Sequence, residues 1–175
     1  MTAPDIRPLG PDAATIDALA ALLIETVAGG GSVGFMHPVA PEKAAGFARA
    51  SLEAAARGER IVFGAFVDGT LASTVTLLLA LPENQPHRAE IAKMMTAPGF
   101  RGRGLARALL LEAERQAALR GRTLLVLDTA EQEGAAGLYE KAGFIRVGAI
   151  PDFALKPHGG LTATLLYVKR LAPAG

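Results

Sequence analysis

The segment that most constrains the fold of this chain is a turn rich in arginine and glycine, followed at once by an amphipathic helix. The turn is Arg101-Gly102-Arg103-Gly104, and apolar residues recur at helical spacing from Leu105 onward. Glycine lets the backbone approach a ligand closely, and the first N–H groups of a helix have no partner inside the helix. The helix dipole also favours negative charge at that end. The segment therefore predicts a binding site for an anion such as a phosphate group.

Spacing separates the phosphate-binding motifs that could use such a turn. A P-loop needs a Lys-Ser/Thr pair directly behind its last glycine, and no such pair follows Gly104. A dinucleotide fingerprint would place Gly102, Gly104 and Arg107 at its three glycine positions. Its third position needs Gly or Ala for close packing of the helix on the strand. The spacing therefore argues against both motifs.

The turn resembles the [QR]-x-x-G-x-[GA] motif of the GNAT acetyltransferase superfamily, matched by Arg101, Gly104 and Ala106. A second segment, AAGLYEKAGF at residues 135–144, is similar to the family's A-x-x-L-Y-x-x-x-G-F. The resemblance implies that acetyl-CoA is the cosubstrate, that no metal is needed, and that the turn holds the pyrophosphate. The implied cofactor-binding residues of the turn are Arg101, Gly102, Arg103, Gly104, Leu105 and Ala106.

The hydrophobic pattern predicts an α/β chain (α+β in some schemes) with the order β-α-α-β-β-β-α-β-α-β-β, which is the order of the GNAT fold. Asp12 is a plausible N-cap, Pro41 opens a helix, and Asp68-Gly69 predicts a tight hairpin turn. The resemblance implies a mixed central sheet of about seven strands. The predicted strands cover residues 5–9, 60–67, 70–81, 89–96, 123–128, 144–150 and 161–169, and the predicted helices cover residues 13–27, 41–57, 105–120 and 135–141.

Length, net charge and amino-acid composition limit the classes of protein to which this chain can belong. With 175 residues, half of them hydrophobic, the chain is expected to form a single domain over residues 1–175. The net charge of +1 gives no field that would attract nucleic acid or an anionic membrane. The absence of cysteine excludes a disulfide framework and a cysteine intermediate, and the three histidines lack metal-ligand spacing. The N-terminal residues lack the pattern of a secretion signal, so a soluble cytoplasmic protein is expected.

Acetyl transfer from a thioester to an amine needs a donor for the thioester oxygen, a base for the ammonium and an acid for the thiolate. The resemblance implies that the backbone of the fourth strand, at Met94, Met95 and Thr96, bonds the pantetheine and polarises the thioester. It places Tyr139 near the coenzyme sulfur, as a cofactor contact and as the acid. The family often has Asn seven residues before this tyrosine, where the chain has Gln132.

Two carboxylates are candidates for the base. Glu90 begins the fourth predicted strand and Asp128 ends the fifth, and these adjacent strands splay apart around the acetyl group in the GNAT fold. The alternatives are an ion pair of Glu90 with Arg88 or Lys93, and a turn cap formed by Asp128. The C-terminal third resembles the tabtoxin-resistance branch, in which a glutamate and an aspartate at these positions remove the proton. Which of the two acts as the base stays open.

The acceptor is expected to be a primary amine of a small molecule, and the tabtoxin-resistance resemblance favours an amino-acid-like compound, an antibiotic or a toxin. Residues 29–40 form an unusually apolar loop, and Ser32, Val33 and Phe35 are its candidate substrate-binding residues. One alternative is an acetyl-CoA-binding module without catalysis, against which the candidate acid and bases argue. Another is a peptide or protein N-terminal acetyltransferase. Because GNAT domains often pair, a homodimer is a further expectation.

Overall fold

The computed structural model describes residues 4–131 and 136–172. Its elements follow the predicted order β-α-α-β-β-β-α-β-α-β-β, so the predicted mixed α/β fold is confirmed. The strands are Asp5–Pro8 (β1), Arg60–Val67 (β2), Thr70–Leu78 (β3), Arg88–Thr96 (β4), Leu124–Ala130 (β5), Ile145–Leu155 (β6) and Leu161–Arg170 (β7). The helices are Ala13–Ala28 (α1), Pro41–Ala56 (α2), Leu105–Leu119 (α3) and Ala136–Lys141 (α4), with a 3₁₀ turn at Pro98–Phe100.

The seven strands form one mixed sheet in the order β1-β2-β3-β4-β5-β7-β6. β4 and β5 run parallel, and the other neighbouring pairs run antiparallel. α1 and α2 pack on one face of the sheet and α3 packs on the other, which divides the core into two apolar clusters. None of the described helices combines the length and the apolar character needed to span a membrane.

Local sequence signals explain where several elements begin and turn. Asp12 caps α1, because its Oδ1 accepts a hydrogen bond of 2.9 Å from the N–H of Thr15. Pro41 occupies the first turn of α2, where its missing N–H costs no helical bond. Asp68 and Gly69 have φ angles of 48° and 78°, as the tight turn between β2 and β3 requires.

Three strands end two or more residues away from the predicted position, because pairing with neighbouring strands determines where they end. β3 ends at Leu78 rather than at residue 81, since the next two N–H groups donate to the carbonyl of Glu59 and leave the ladder. β5 runs two residues beyond Asp128 because β7 continues to pair with it. β6 continues to Leu155 through Pro151, which an edge strand tolerates, and the ladder is irregular there.

Candidate active site

The parallel strands β4 and β5 pair only at their beginnings and then separate. Their last pair is Glu90 with Val126, and beyond it the two strands make no further ladder contacts. A cavity of about 900 Å³ lies in the opening, within the size range of small-molecule sites. Its walls come from β4, β5, the loop between α1 and α2, the first turn of α3, α4, and the hairpin of β6 and β7.

A bulge shapes the β4 wall of this cavity. Lys93 and Met94 together face the single residue Val75 of β3, between the regular pairs on either side. Lys93 has a φ of 53°, in the left-handed region that residues other than glycine rarely adopt. The bulge therefore turns Lys93 out of the regular strand and interrupts the β3–β4 ladder beside the cavity.

The three β4 residues predicted to meet the cofactor, Met94, Met95 and Thr96, all line the cavity. Met95 is 2% exposed and also fills the core, whereas Met94 is half-buried. The hydroxyl of Thr96 is 2.7 Å from that of Ser73, which donates to the carbonyl of Met95. Side-chain hydrogen bonds therefore add to the backbone ladder that holds this part of β4 on β3.

The arginine- and glycine-rich turn ends at the start of α3, where Gly104 is the N-cap with a φ of 78°. The N–H of Ala108 donates to the carbonyl of Gly104 as the first bond of the helix, so the N–H groups of residues 105–107 point out of the helix end. A Cβ built on Gly102 or Gly104 meets no atom within 4 Å. The space beside the helix end is open, as an incoming anion requires.

The turn residues are not equivalent. Arg101, Gly102, Gly104, Leu105 and Ala106 line the cavity, and Arg103 does not. The guanidinium of Arg103 instead donates to the carbonyl of Gly99 at 3.1 Å and lies 5.0 Å from the ring centre of Phe100. Of the two predicted arginines, Arg101 is thus the one placed to add charge at the cavity.

Tyr139, the predicted acid, reaches the cavity from α4. Its side chain is 5% exposed, and its ring packs against those of Phe144 and Tyr167 at centroid distances of 5.9 and 6.1 Å. The hydroxyl of Tyr167 donates to Glu140 at 3.0 Å. Tyr139 is therefore held in a fixed aromatic cluster while its side chain forms part of the cavity wall.

Asp128 and Glu90, the two predicted bases, lie in different surroundings. Asp128 lines the cavity, and its Oδ2 accepts a hydrogen bond of 2.8 Å from the hydroxyl of buried Thr164. It is no turn cap, because β5 continues beyond it. Glu90 is not part of the cavity wall and pairs with Arg88 at 2.5 Å. The structure thus brings Asp128 and Tyr139 to one cavity and leaves Glu90 at the point where the strands separate.

The candidate acceptor residues Ser32, Val33 and Phe35 all line the cavity. The ring of Phe35 packs edge-on against Phe47 of α2, with centroids 5.2 Å apart. The loop between α1 and α2 thus folds over the opening of the sheet, as its apolar composition predicts. Gln132, the other predicted cofactor contact, lies outside the described residues.

For two polar residues at the cavity, Thr164 and Lys93, the sequence analysis predicted no place in the site. Thr164 holds Asp128 across 36 residues of sequence, a contact set by the β5–β7 register. The sequence analysis considered Lys93 only as a possible ion-pair partner of Glu90, although Lys93 is the one charged residue between Glu90 and Pro98. Its Nζ donates to the carbonyl of Val33 at 2.6 Å. Burial lowers the pKa of Lys93, Asp128 raises it, and the charge of Arg60 lowers it further.

The described part of the chain contains no cluster of His, Asp and Glu side chains suited to holding a metal ion. What the cavity offers is an exposed helix end for an anion, one acidic and one phenolic side chain, and an apolar loop.

Solved structures with the same fold extend over almost the whole chain. An N-acetyltransferase from Staphylococcus aureus Mu50 superposes with a TM-score of 0.81 at 17% identity, covering 98% of this chain and 100% of that one. A ribosomal-protein-alanine N-acetyltransferase from Brucella melitensis gives 0.78 at 23% identity, covering 95% and 99%. The protein yncA from Salmonella typhimurium, solved with its cofactor acetyl-CoA, gives 0.78 at 17% identity, covering 99% and 97%. At these identities the likeness concerns the fold.

Sequence comparison with known families gives a match over residues 32–144, which include β4, the arginine- and glycine-rich turn and Tyr139. The match spans more than half of the chain, and the chain therefore belongs to the Acetyltransferase (GNAT) family.

Proposed function

We propose that this protein transfers an acetyl group from acetyl-CoA to a primary amine of a small molecule, by direct attack in a ternary complex. The observation that carries the proposal is the cavity between β4 and β5, which an anion-binding helix end, Tyr139 and Asp128 all reach. The acetyl-CoA found in yncA, a protein of the same fold, supports the choice of cosubstrate. The cosubstrate supplies the activated thioester, and the protein supplies binding, orientation and proton transfer.

The residues at the helix end fit a pyrophosphate. The N–H groups at the start of α3 point outward, and the space beside Gly104 is open. Arg101 adds a positive charge on the same wall. The interrupted ladder at the β4 bulge lies in the wall of the same cavity as this helix end and Tyr139, and it offers backbone groups to a pantetheine arm.

The acid and base roles follow from position. Asp128 is the group that binds the ammonium and takes its proton. Thr164 donates a hydrogen bond to one of its carboxylate oxygens, so the other oxygen is available to the ammonium. Tyr139 donates its proton to the departing thiolate. Glu90, paired with Arg88 and outside the cavity wall, is assigned at most an indirect part. No acid, base or nucleophile other than these residues is needed.

A small acceptor is favoured over a peptide because the loop between α1 and α2 folds over the acceptor side. Lys93 ties this loop to β4 through the carbonyl of Val33, and Phe35 packs inward on α2. That the chain belongs to the tabtoxin-resistance branch stays a prediction. The antibiotic or toxin acceptor that this branch implies stays a prediction as well. The experiment that decides the acceptor class is a screen of amines with acetyl-CoA, read as release of free thiol.

The first prediction concerns the cofactor. Acetyl-CoA at about 100 times its Kd should raise the melting temperature by about 5–10 °C, since binding to the folded state alone contributes roughly 2.7 kcal/mol. ATP and NAD should give much smaller shifts at the same concentration, because the turn lacks the spacing of their motifs. Differential scanning fluorimetry measures all three, and equal shifts with ATP would contradict the cofactor assignment.

The second prediction concerns proton removal. Asp128→Asn should lower kcat/KM most at low pH and lose less at high pH, because the acceptor amine then deprotonates without a base. A loss of about 10²-fold at pH 6–7 is expected from the usual contribution of a positioned base. Glu90→Gln, measured over the same pH range, should lose less than Asp128→Asn, and the opposite order would return the base role to Glu90.

The support from Thr164 can be separated from the base itself. Thr164→Val should change the pH profile in the direction of Asp128→Asn but by a smaller factor, and it should add little in the Asp128→Asn background. The matched control is Thr74→Val, which removes another buried strand hydroxyl, one that donates to the carbonyl of Phe63 at 2.8 Å. The control should lose stability without changing the pH profile. Identical profiles for the two variants would show that Thr164 has no role in proton transfer.

A further inference from the structure

Lys93 brings a positive charge into the cavity. Its ammonium donates one hydrogen bond to the carbonyl of Val33, which uses one of its three N–H groups. Among residues 4–131 and 136–172, no carboxylate forms an ion pair with it. The bond to Val33 fixes the position of Nζ and leaves two N–H groups for another partner, and the Lys93 side chain lines the cavity.

The surroundings of Lys93 favour the arrival of an anion. Burial lowers the pKa of its ammonium group, as expected for a cation that has lost much of its water. A negative group beside it would favour the charged form and replace part of the lost hydration. The left-handed backbone of the bulge is costly for a residue with a side chain, yet the bulge carries a lysine.

The opposite charge is present in the same cavity. Asp128 acts electrostatically on Lys93, and both line the opening between β4 and β5. The two side chains form no ion pair with each other. Because these two side chains line one cavity without forming an ion pair, a ligand that carries both charges can pair with each of them.

Building on the proposed acetyl transfer, we propose that Lys93 is the anion-binding residue of the acceptor site. The acceptors are then amines that also carry a carboxylate or a comparable anionic group, with Asp128 facing the amine and Lys93 facing the anion. Lys93 determines which amines enter productively, while the chemistry of the transfer stays with Asp128 and Tyr139.

The test compares acceptors that differ only in the carboxylate. Leucine is paired with isopentylamine and phenylalanine with phenethylamine, each with acetyl-CoA, and free thiol release is measured. The wild-type kcat/KM should be at least about tenfold higher for the amino acid of a pair, mainly through KM. Lys93→Met should lower kcat/KM for the amino acid at least about tenfold more than for its amine.

Two variants serve as references. Lys93→Arg keeps the positive charge and should recover part of the preference for the amino acid. Lys141→Met removes an exposed lysine of α4 that is not part of the cavity wall, and it should keep the wild-type preference. An equal loss for both members of a pair in Lys93→Met would show that Lys93 only supports the loop through Val33. That result, or a wild-type preference for the amines without carboxylate, would overturn the proposal.

A binding measurement keeps the test independent of turnover. Protein labelled with ¹³C-lysine is titrated with leucine, phenylalanine or the matching amines in the presence of CoA, and the Cε resonance of Lys93 is assigned by its loss in Lys93→Met. A saturable shift with an amino acid and none with its amine is expected. No shift with either amino acid overturns the proposal. A saturable shift without any thiol release would uphold the anion site and contradict the proposed acetyl transfer.

Discussion

Tyr139→Phe should lower kcat by about 10²-fold or more and leave the affinity for acetyl-CoA nearly unchanged, as expected when a positioned proton donor is lost. The substitution removes the hydroxyl and keeps the ring, so the packing against Phe144 and Tyr167 is preserved. The departing thiolate is the group that needs the proton, and the ordinary pKa of a thiol is about 8.5. The deficit should therefore shrink above about that pH, where the thiolate leaves without help.

The matched control is Tyr167→Phe, which removes the other tyrosine hydroxyl of the same aromatic cluster. That hydroxyl donates to Glu140, and Tyr167 is fully buried and is not part of the cavity wall. The control should lose about 1 kcal/mol of stability, the usual net value of a hydrogen bond, and keep its kcat within a few fold. Steady-state kinetics with equilibrium binding of acetyl-CoA measures both variants. Wild-type kcat in Tyr139→Phe at neutral pH would contradict the acid assignment.

The features that could be predicted from sequence are those that local chemistry determines. Three such signals depend only on residues nearby in the sequence, and the structure contains all of them. They are a glycine at the start of α3, Asp12 as the cap of α1, and the Asp68-Gly69 turn. The order of helices and strands follows from the hydrophobic period of each segment. These signals, with the resemblance to a known family, were enough to predict that the arginine- and glycine-rich turn lies between the fourth strand and α3.

Strand pairing determines what could not be predicted. Glu90 and Asp128 are both acids near the ends of adjacent strands, and only the point at which β4 and β5 stop pairing leaves Asp128 in the cavity wall and Glu90 outside it. The bond from Thr164 to Asp128 depends on the register of β5 with β7. The orientation of Lys93 depends on one extra residue in β4. A single residue of register would move each of these side chains to the other face of the sheet.

Gly104→Val should weaken the binding of acetyl-CoA by about 10²-fold or more, an estimate based on lost backbone contacts to a charged group. Gly104 has a φ of 78°, which a β-branched residue adopts only at the cost of about 1–2 kcal/mol of strain. The added side chain also enters the open space beside the helix end, where a pyrophosphate would approach the N–H groups. Strain and obstruction thus both act on this variant, and a control must separate them.

Gly121→Val provides that control. Gly121 follows the other end of α3 and has a φ of 71°, its added Cβ also meets nothing within 4 Å, and it is not part of the cavity wall. The two variants should therefore lose similar amounts of melting temperature, while only Gly104→Val loses affinity in a titration with acetyl-CoA. If both variants bind acetyl-CoA as tightly as the wild type, the pyrophosphate lies elsewhere. If both lose affinity equally, strain in α3 rather than obstruction of the helix end explains the effect.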